Sequence, residues 1–241
     1  MKVKMVGTGS AAPSLKRGAP CSLVSTKVGN ILIDAGPSAV RRLLEFGYGV
    51  DDIDAVVLTH FHPDHTIDLA TLLFACEHGE GRREKPLLLV GGRGMDRFYR
   101  RLSLLYPWVA PIGYDLSIKT VSIDTIRMGP VSISAVPVSH RKESIAVCIG
   151  DSDRRVVFSG DTDYSPVLVG LASGVDLLVA ECTFAEAKVK GHLNMAALLR
   201  IVREAKPKGV IMSHLAPEWE GFCGRIPAPL VLGEDGMELD L

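Results

Sequence analysis

A chain of 241 residues, 47% hydrophobic and 23% charged with a net charge of −1, can bury a substantial core in one domain and carries no global field for nucleic acid. Its longest apolar runs, such as Val175 to Ala180 and Pro86 to Val90, fall far short of the roughly 18 residues that cross a bilayer, so no membrane association is expected. Five cysteines, Cys21, Cys76, Cys148, Cys182 and Cys223, form no CxxC pair and cannot all pair internally, which points to reduced thiols in a cytoplasmic compartment and to no cysteine metal ligand.

In chain order, Met1 to Val6 reads as a first strand near 2–6, followed by strands near 21–26 and 30–34 and a helix near 38–46. The run Ile53 to Leu58 is apolar enough for a buried strand near 54–58. After it, Ile67, Leu69, Ala70, Leu72 and Leu73 recur at helical spacing, giving a helix near 66–76. A strand near 86–90 and a helix near 94–105 come next. Strands near 114–126, 131–138, 145–150 and 154–159 then lead to a helix near 165–172, a strand near 175–181, a helix near 194–205 and a strand near 208–213. Gly233-Glu234-Asp235-Gly236 reads as the turn of a hairpin between two final short strands. No repeat, linker or low-complexity segment interrupts residues 1–241, which are read as one domain. Strands mixed with helices predict an α+β architecture, a four-layer αββα sandwich with two sheets face to face and helices outside.

The chemistry concentrates at strand ends. Thr59-His60-Phe61-His62-Pro63-Asp64-His65 puts three imidazoles and a carboxylate within six residues, on the loop between a strand and a helix. If His60 and His62 bind one ion, Asp64 and His65, displaced along the turn, can face a second; the alternative is that Asp64 merely caps the helix. His140 follows the strand-like Val131 to Ser139, Asp161 follows Val156-Val157-Phe158, and His214 follows Gly209 to Ser213. Each therefore lies just past an apolar or β-branched run. Asp161 has two carboxylate oxygens and can bridge two ions, whereas His140 and His214 each give one nitrogen. Two zinc ions roughly 3.5–4 Å apart can share a water, lower its pKa toward neutrality and clamp both oxygens of a displacement at phosphorus. Asp64 is placed to orient that water or accept its proton. His192, beyond the Glu181 strand, can be a Glu-paired imidazole that donates a proton to a leaving alkoxide; the alternative is that it caps the helix starting near Asn194.

These residues carry a family resemblance. The cluster His60, His62, Asp64, His65, then His140, Ser159-Gly160-Asp161-Thr162 and Ser213-His214 resembles the metallo-β-lactamase superfamily, and within it the ribonuclease Z and small zinc phosphodiesterase branch. Gly7-Thr8-Gly9-Ser10 with Pro13, Ile31 to Gly36 ahead of a helix, and Glu181-Cys182-Thr183-Phe184 followed by Gly191-His192 add to it, so that the likeness spans nearly the whole chain. It implies the αββα fold, two zinc ions per chain, one held by His60, His62, His140 and Asp161 and the other by Asp64, His65, Asp161 and His214, and a Glu181–His192 pair in catalysis. Mn²⁺ or Fe²⁺ also suits such nitrogen and oxygen donors.

The expected function is that of a dinuclear-zinc hydrolase, a phosphodiesterase acting on small anionic diesters. A lactonase or thioesterase is the enzymatic alternative, since the same site can attack an ester carbonyl, and a metal-binding protein without hydrolytic activity is the other. Arg141 and Lys142 directly follow His140 and can meet an anionic substrate; plain surface charge explains them equally well. Arg82, Arg83, Lys85, Arg93, Arg97, Arg100 and Arg101 gather positive charge after the metal-motif helix, as a solvated face also would. The chain departs from ribonuclease Z in two respects. Tyr106 to Asp124 and its surroundings are too short for the protruding arm that grips tRNA, and His214 is followed by Leu215-Ala216-Pro217-Glu218 rather than the Ser-Arg of that family's phosphate contact. Transfer RNA is therefore not expected as a substrate, and assembly as a homodimer is left open.

Overall fold

The computed structural model describes residues 1–79, 82–121 and 125–241. Two seven-stranded mixed sheets face each other. The first contains β1 (Lys2–Gly7), β2 (Cys21–Thr26), β3 (Gly29–Ile33), β4 (Ile53–Leu58), β5 (Leu87–Gly91) and β6 (Leu116–Thr120), with β14 (Glu238–Asp240) on its edge beside β1. The second runs from β7 (Ile126–Met128) through β8 (Val131–Pro137), β9 (Ile145–Gly150), β10 (Arg155–Phe158), β11 (Leu177–Glu181) and β12 (Val210–Ser213) to β13 (Leu230–Leu232). Helices α1 (Ala39–Glu45), α2 (Pro63–His78) and α3 (Met95–Leu105) cover the first sheet, and α4 (Pro166–Leu171) and α5 (Met195–Ala205) the second.

The layering follows from side chains alternating across each strand. Ile31 and Ile33 of β3 and Ala55 and Val57 of β4 point into the inter-sheet core, where Val147, Ile149 and Val179 meet them. Leu32, Val56 and Leu58 point the other way, onto Leu43, Leu69 and Leu73 of α1 and α2. On the far side, Ala146, Leu178 and Ala180 pack against Leu198 and Ile201 of α5. Strands buried on both faces explain why these segments read as near-continuous apolar runs. The αββα sandwich expected from the sequence is the observed architecture.

Three expectations are corrected. The segment near 114–126 is two strands in different sheets: β6 pairs in parallel with β5, and β7 pairs antiparallel with β8. Residues 122–124 between them lie outside the described residues. Gly233 to Gly236 does not close a hairpin, because β13 joins the second sheet beside β12 while β14 joins the first beside β1. The turn instead stitches the sheets together: Asp235 accepts the Thr8 N–H (2.9 Å) and the Gly18 N–H (2.6 Å) and pairs with Arg42 at 3.0 Å. Helix α2 begins at Pro63 rather than near residue 66, since proline at the first helical position needs no N–H partner. Asp64 and His65 are therefore in the first helical turn, not on the loop before it.

One cation of the basic cluster is not on a solvated face. Arg83 is 1% exposed, and its guanidinium donates to the carbonyls of Lys85 (2.8 Å), Val50 (3.1 Å), Ile53 (2.7 Å) and Pro86 (2.8 Å). It ties the start of β4 to the α2–β5 connection. Arg83→Met would bury those carbonyls without a donor, at about 3 kcal/mol or more. We expect a fall in Tm of about 6–12 °C at 2–4 °C per kcal/mol for a chain of this size; an unchanged melting curve would refute the structural role.

Candidate metal centre and active site

Parallel strands β4, β10, β11 and β12 all end at one edge of the sandwich, where the loops that follow them meet. His60 and His62 leave β4, Asp161 leaves β10, Glu181 closes β11 and His214 follows β12, while His140 arrives on the turn after β8. Asp161, 2% exposed, sits at the centre. Its Oδ2 faces His60 Nε2 at 3.6 Å and His140 Nε2 at 3.9 Å, and His62 Nδ1 is 3.2 Å from His140 Nε2. Its Oδ1 faces His65 Nε2 and His214 Nε2, both at 3.4 Å. Asp64 Oδ2 closes that second group at 3.5 Å from His65 and 3.4 Å from His214. All seven residues of the expected ligand set are thus brought together, as two groups that share Asp161. Asp64 is aimed at imidazoles, not at helix N–H groups.

The donor set fits bound cations. His60 Nε2, His65 Nε2 and Asp161 Oδ1 are buried without a hydrogen-bond partner, a costly state for polar atoms unless a further ligand completes them. Neither Asp161 nor the buried Asp34 pairs with a lysine or arginine among the described residues. Burial alone would raise the Asp161 carboxyl, but His214 and His65 hold it well below the usual range. Burial likewise opposes the Asp64 carboxyl, yet the His214 contact and the His65 charge bring it down to about 2. Burial, reinforced by His65, drives the His60 imidazole down to about 2, so it stays neutral and free to ligate.

Outer partners set four of the five clustered imidazoles. His65 Nδ1 lies 2.7 Å from Asp34 Oδ2, His140 Nδ1 2.9 Å from the Gly191 carbonyl, His214 Nδ1 2.8 Å from Thr183 Oγ1 and His60 Nδ1 3.2 Å from Thr59 Oγ1. A proton on Nδ1 of these four satisfies the contacts and leaves their Nε2 lone pairs facing inward, whereas His62 turns Nδ1 inward. Asp34 and His214 have positive φ angles, 59° and 54°. The His214 turn is held by Leu215 N–H donating to the Thr8 carbonyl at 2.9 Å, which gives the Gly7-Thr8-Gly9-Ser10 motif its structural purpose. Gly191 has φ 86°, and a Cβ there would come within 2.7 Å of His140 Nδ1.

Glu181 and His192 also meet: His192 Nδ1 is 3.2 Å from Glu181 Oε2. Glu181 Oε1 accepts Thr162 N–H at 2.5 Å and Oε2 accepts the Thr183 hydroxyl at 2.6 Å. Burial pushes the Glu181 carboxyl up. Burial would lower His192, but the hydrogen bond and charge of Glu181 raise it. His192 also lies close enough to Asp161 and His214 to form a third metal-binding group with them. We assign it to Glu181 instead, because that contact is shorter than the 3.9 Å separating it from Asp161. It does not cap α5; Asn194 does, accepting the Ala197 N–H at 3.0 Å.

Sequence comparison with protein families settles the kinship. The family described as "Beta-lactamase superfamily domain" matches residues 29–215. The chain belongs to that superfamily. It is 27% identical over 224 residues to the "Probable metallo-hydrolase YhfI" of Bacillus subtilis, covering 89% of this chain and 87% of the relative. It is 27% identical over 292 aligned positions to "Ribonuclease Z" of Brevibacillus brevis, covering 97% and 91%. Among solved structures, YhfI from Bacillus subtilis superimposes with a TM-score of 0.83 at 22% identity, over 99% of this chain and 98% of that one. Human tRNase Z, short form, gives a TM-score of 0.83 at 21% identity, over 100% and 99%. These superpositions establish the metallo-β-lactamase fold; the family match places the chain in a superfamily of metal-dependent hydrolases.

Within that fold, sequence reasoning assigned no role to Asp34, Thr59, Thr183 or Gly191, though all four lie in motifs already noticed. Their signal was a small polar or flexible residue beside a strand end, indistinguishable by type from ordinary turn chemistry. Arg141 and Lys142 are exposed on the turn after His140. The Arg141 backbone closes that turn with Ser144, and the two side chains make no ion pair among the described residues.

Proposed function

We propose that the protein is a dinuclear-zinc phosphodiesterase of small anionic substrates, with residues 1–241 as one hydrolase domain. The observation that carries this reading is the division of labour on Asp161, whose two oxygens face two separate ligand groups at 3.4–3.9 Å. Two zinc ions held there by His60, His62, His140 and Asp161, and by Asp64, His65, Asp161 and His214, would supply Lewis acidity and a nucleophile at neutral pH. Asp64, in the second group, orients the attacking water. His192, its Nδ1 turned to Glu181, keeps Nε2 without a protein partner among the described residues and offers its proton to the leaving oxygen. Thr183 couples the two halves by contacting Glu181, His192 and His214 with one hydroxyl.

Ribonuclease Z relatives suggest a phosphodiester, and the lengths argue against tRNA. The alignment to the Brevibacillus enzyme spans 292 positions against 241 residues here, so at least 51 positions (292 less 241) belong to the relative alone. A chain lacking that extra surface must bind folded RNA through the catalytic centre, which supplies too little contact. The five free cysteines, four of them buried, are consistent with a reducing cytoplasm, and no helix among the described residues is long and apolar enough to cross a membrane.

A panel of chromogenic phosphodiesters, lactones and thioesters tests the assignment with the fully metallated protein. Diesters should give the highest kcat/KM. Charge reversal at Arg141 and Lys142 should raise KM for diesters several-fold more than for neutral esters, because only the diester carries charge to the encounter. A lactone or thioester outrunning every diester would move the protein to the carbonyl hydrolases; metal binding without any turnover would make it a binding protein.

A further inference from the structure

A cleft of about 490 Å³ opens beside His192, lined by Asp163, Tyr164, Lys188, Lys190 and Arg200 among others. Its volume suits a small-molecule fragment rather than a macromolecule. We propose that this cleft is the leaving-group subsite, and that Lys188 and Lys190 select diesters whose leaving alcohol carries a second anionic group, a phosphate monoester or a carboxylate. The inference rests on the phosphodiesterase reading for its chemistry. Water attack forms one P–O bond and breaks the P–O bond to the leaving oxygen; the proton on His192 goes to that oxygen and is replaced by one from the attacking water. The leaving oxygen must come within reach of His192, and His192 lines this cleft on one side while facing Asp161 on the other.

The cations in the cleft are unequal. Arg200 is already engaged, with Nε 2.9 Å from Glu204 and its guanidinium 3.7 Å from the centre of the Tyr164 ring. Lys188 and Lys190 pair with no carboxylate among the described residues, and both are exposed to an incoming ligand. The carboxylate of Asp163 is turned to the backbone, accepting the Gly191 N–H at 2.7 Å. The loop bearing the lysines is anchored on both sides. Ala185 N–H donates to Glu218 at 2.6 Å, Asn194 holds the Glu186 carbonyl at 2.8 Å, and Gly191 is tied to Asp163. Two free ammonium groups are thus presented on a fixed loop at the mouth of the proton donor, an arrangement that favours a compact anion.

The test compares a para-nitrophenyl phosphodiester with its ring-carboxylated analogue, the transferred phosphoryl group being the same in both. The full-length metallated protein should have a lower KM for the carboxylated diester. The double variant Lys188→Glu/Lys190→Glu should raise that KM about tenfold or more, while changing KM for the neutral-leaving-group diester less than twofold and leaving metal content at the wild-type level. Lys188→Gln/Lys190→Gln should fall between and covers the case in which charge reversal disturbs the loop. In parallel, binding of the carboxylated nitrophenol product is measured by calorimetry, which needs no turnover. If both diesters weaken equally, or product binding survives charge reversal, the subsite is refuted. If neither diester is cleaved yet the product binds in a lysine-dependent manner, the phosphodiesterase reading fails and the anion subsite stands.

Discussion

Close to two transition-metal ions per chain are expected in the metal-replete protein, and Asp161→Ala is expected to lose both. Each oxygen of Asp161 faces a different group of imidazoles, at 3.4 Å on one side and 3.6–3.9 Å on the other. Removing it therefore takes a donor from both groups at once and leaves only imidazoles in the first, and Asp64 as the one carboxylate of the second. Loss of an outer partner commonly costs 10–100-fold in metal affinity, and loss of a shared inner carboxylate should cost more at both positions. His214→Ala, by contrast, should weaken the second ion alone. Elemental analysis after gel filtration reads both outcomes. One ion or none in the wild-type protein would overturn the dinuclear reading, and retention of a full complement by Asp161→Ala would deny the bridge.

His192→Ala should lower kcat by roughly 10²–10⁴, the usual worth of a positioned acid or base, with metal content unchanged. The expectation rests on the 3.2 Å contact to Glu181 and on the raised affinity of the imidazole for a proton, which burial opposes and Glu181 supplies. The loss should shrink with better leaving groups, because a stable alkoxide or phenoxide needs no proton. Such leaving-group dependence separates proton donation from general damage. Glu181→Gln should do less harm than His192→Ala, since an amide still hydrogen-bonds the imidazole but no longer favours its charged form. If His192→Ala releases an ion, the third grouping of Asp161, His192 and His214 is the true one and His192 is a ligand.

Much of the site was legible in the sequence because its ligands sit at strand ends, where an apolar run stops and a donor follows. His60 and His62 follow β4, Asp161 follows β10 and His214 follows β12; the first cluster stands out locally, whereas His214 becomes a candidate only beside it. The helix start was misplaced because the Ile67 to Leu73 periodicity shows where a helix packs, not where Pro63 lets it begin. Arg83 looked like surface charge because its four carbonyl partners come from Val50, Ile53, Lys85 and Pro86, segments whose approach no local window reveals. Gly233 to Gly236 looked like a hairpin for the same reason: turn chemistry is local, whereas the sheet each flanking strand joins is not.

By itself, then, the sequence determined the strand and helix periodicities, the layered class, and the seven candidate donors that the fold brings together. Those depend on the side-chain period of one segment and on residue chemistry, and both are local. Only the tertiary structure decided which imidazole faces which oxygen of Asp161, that Asp34 and Thr183 orient His65 and His214, that Gly191 must lack a Cβ beside His140, and that Lys188 and Lys190 share a cleft with His192. Apart from the lysine–His192 cleft, these pairings join residues far apart along the chain, 31 positions for His65 with Asp34 and for His214 with Thr183, and 51 for His140 with Gly191. They exist because two sheets closing on a common core bring distant strand ends to one edge, and that closure is a property of the packed chain rather than of any stretch of it.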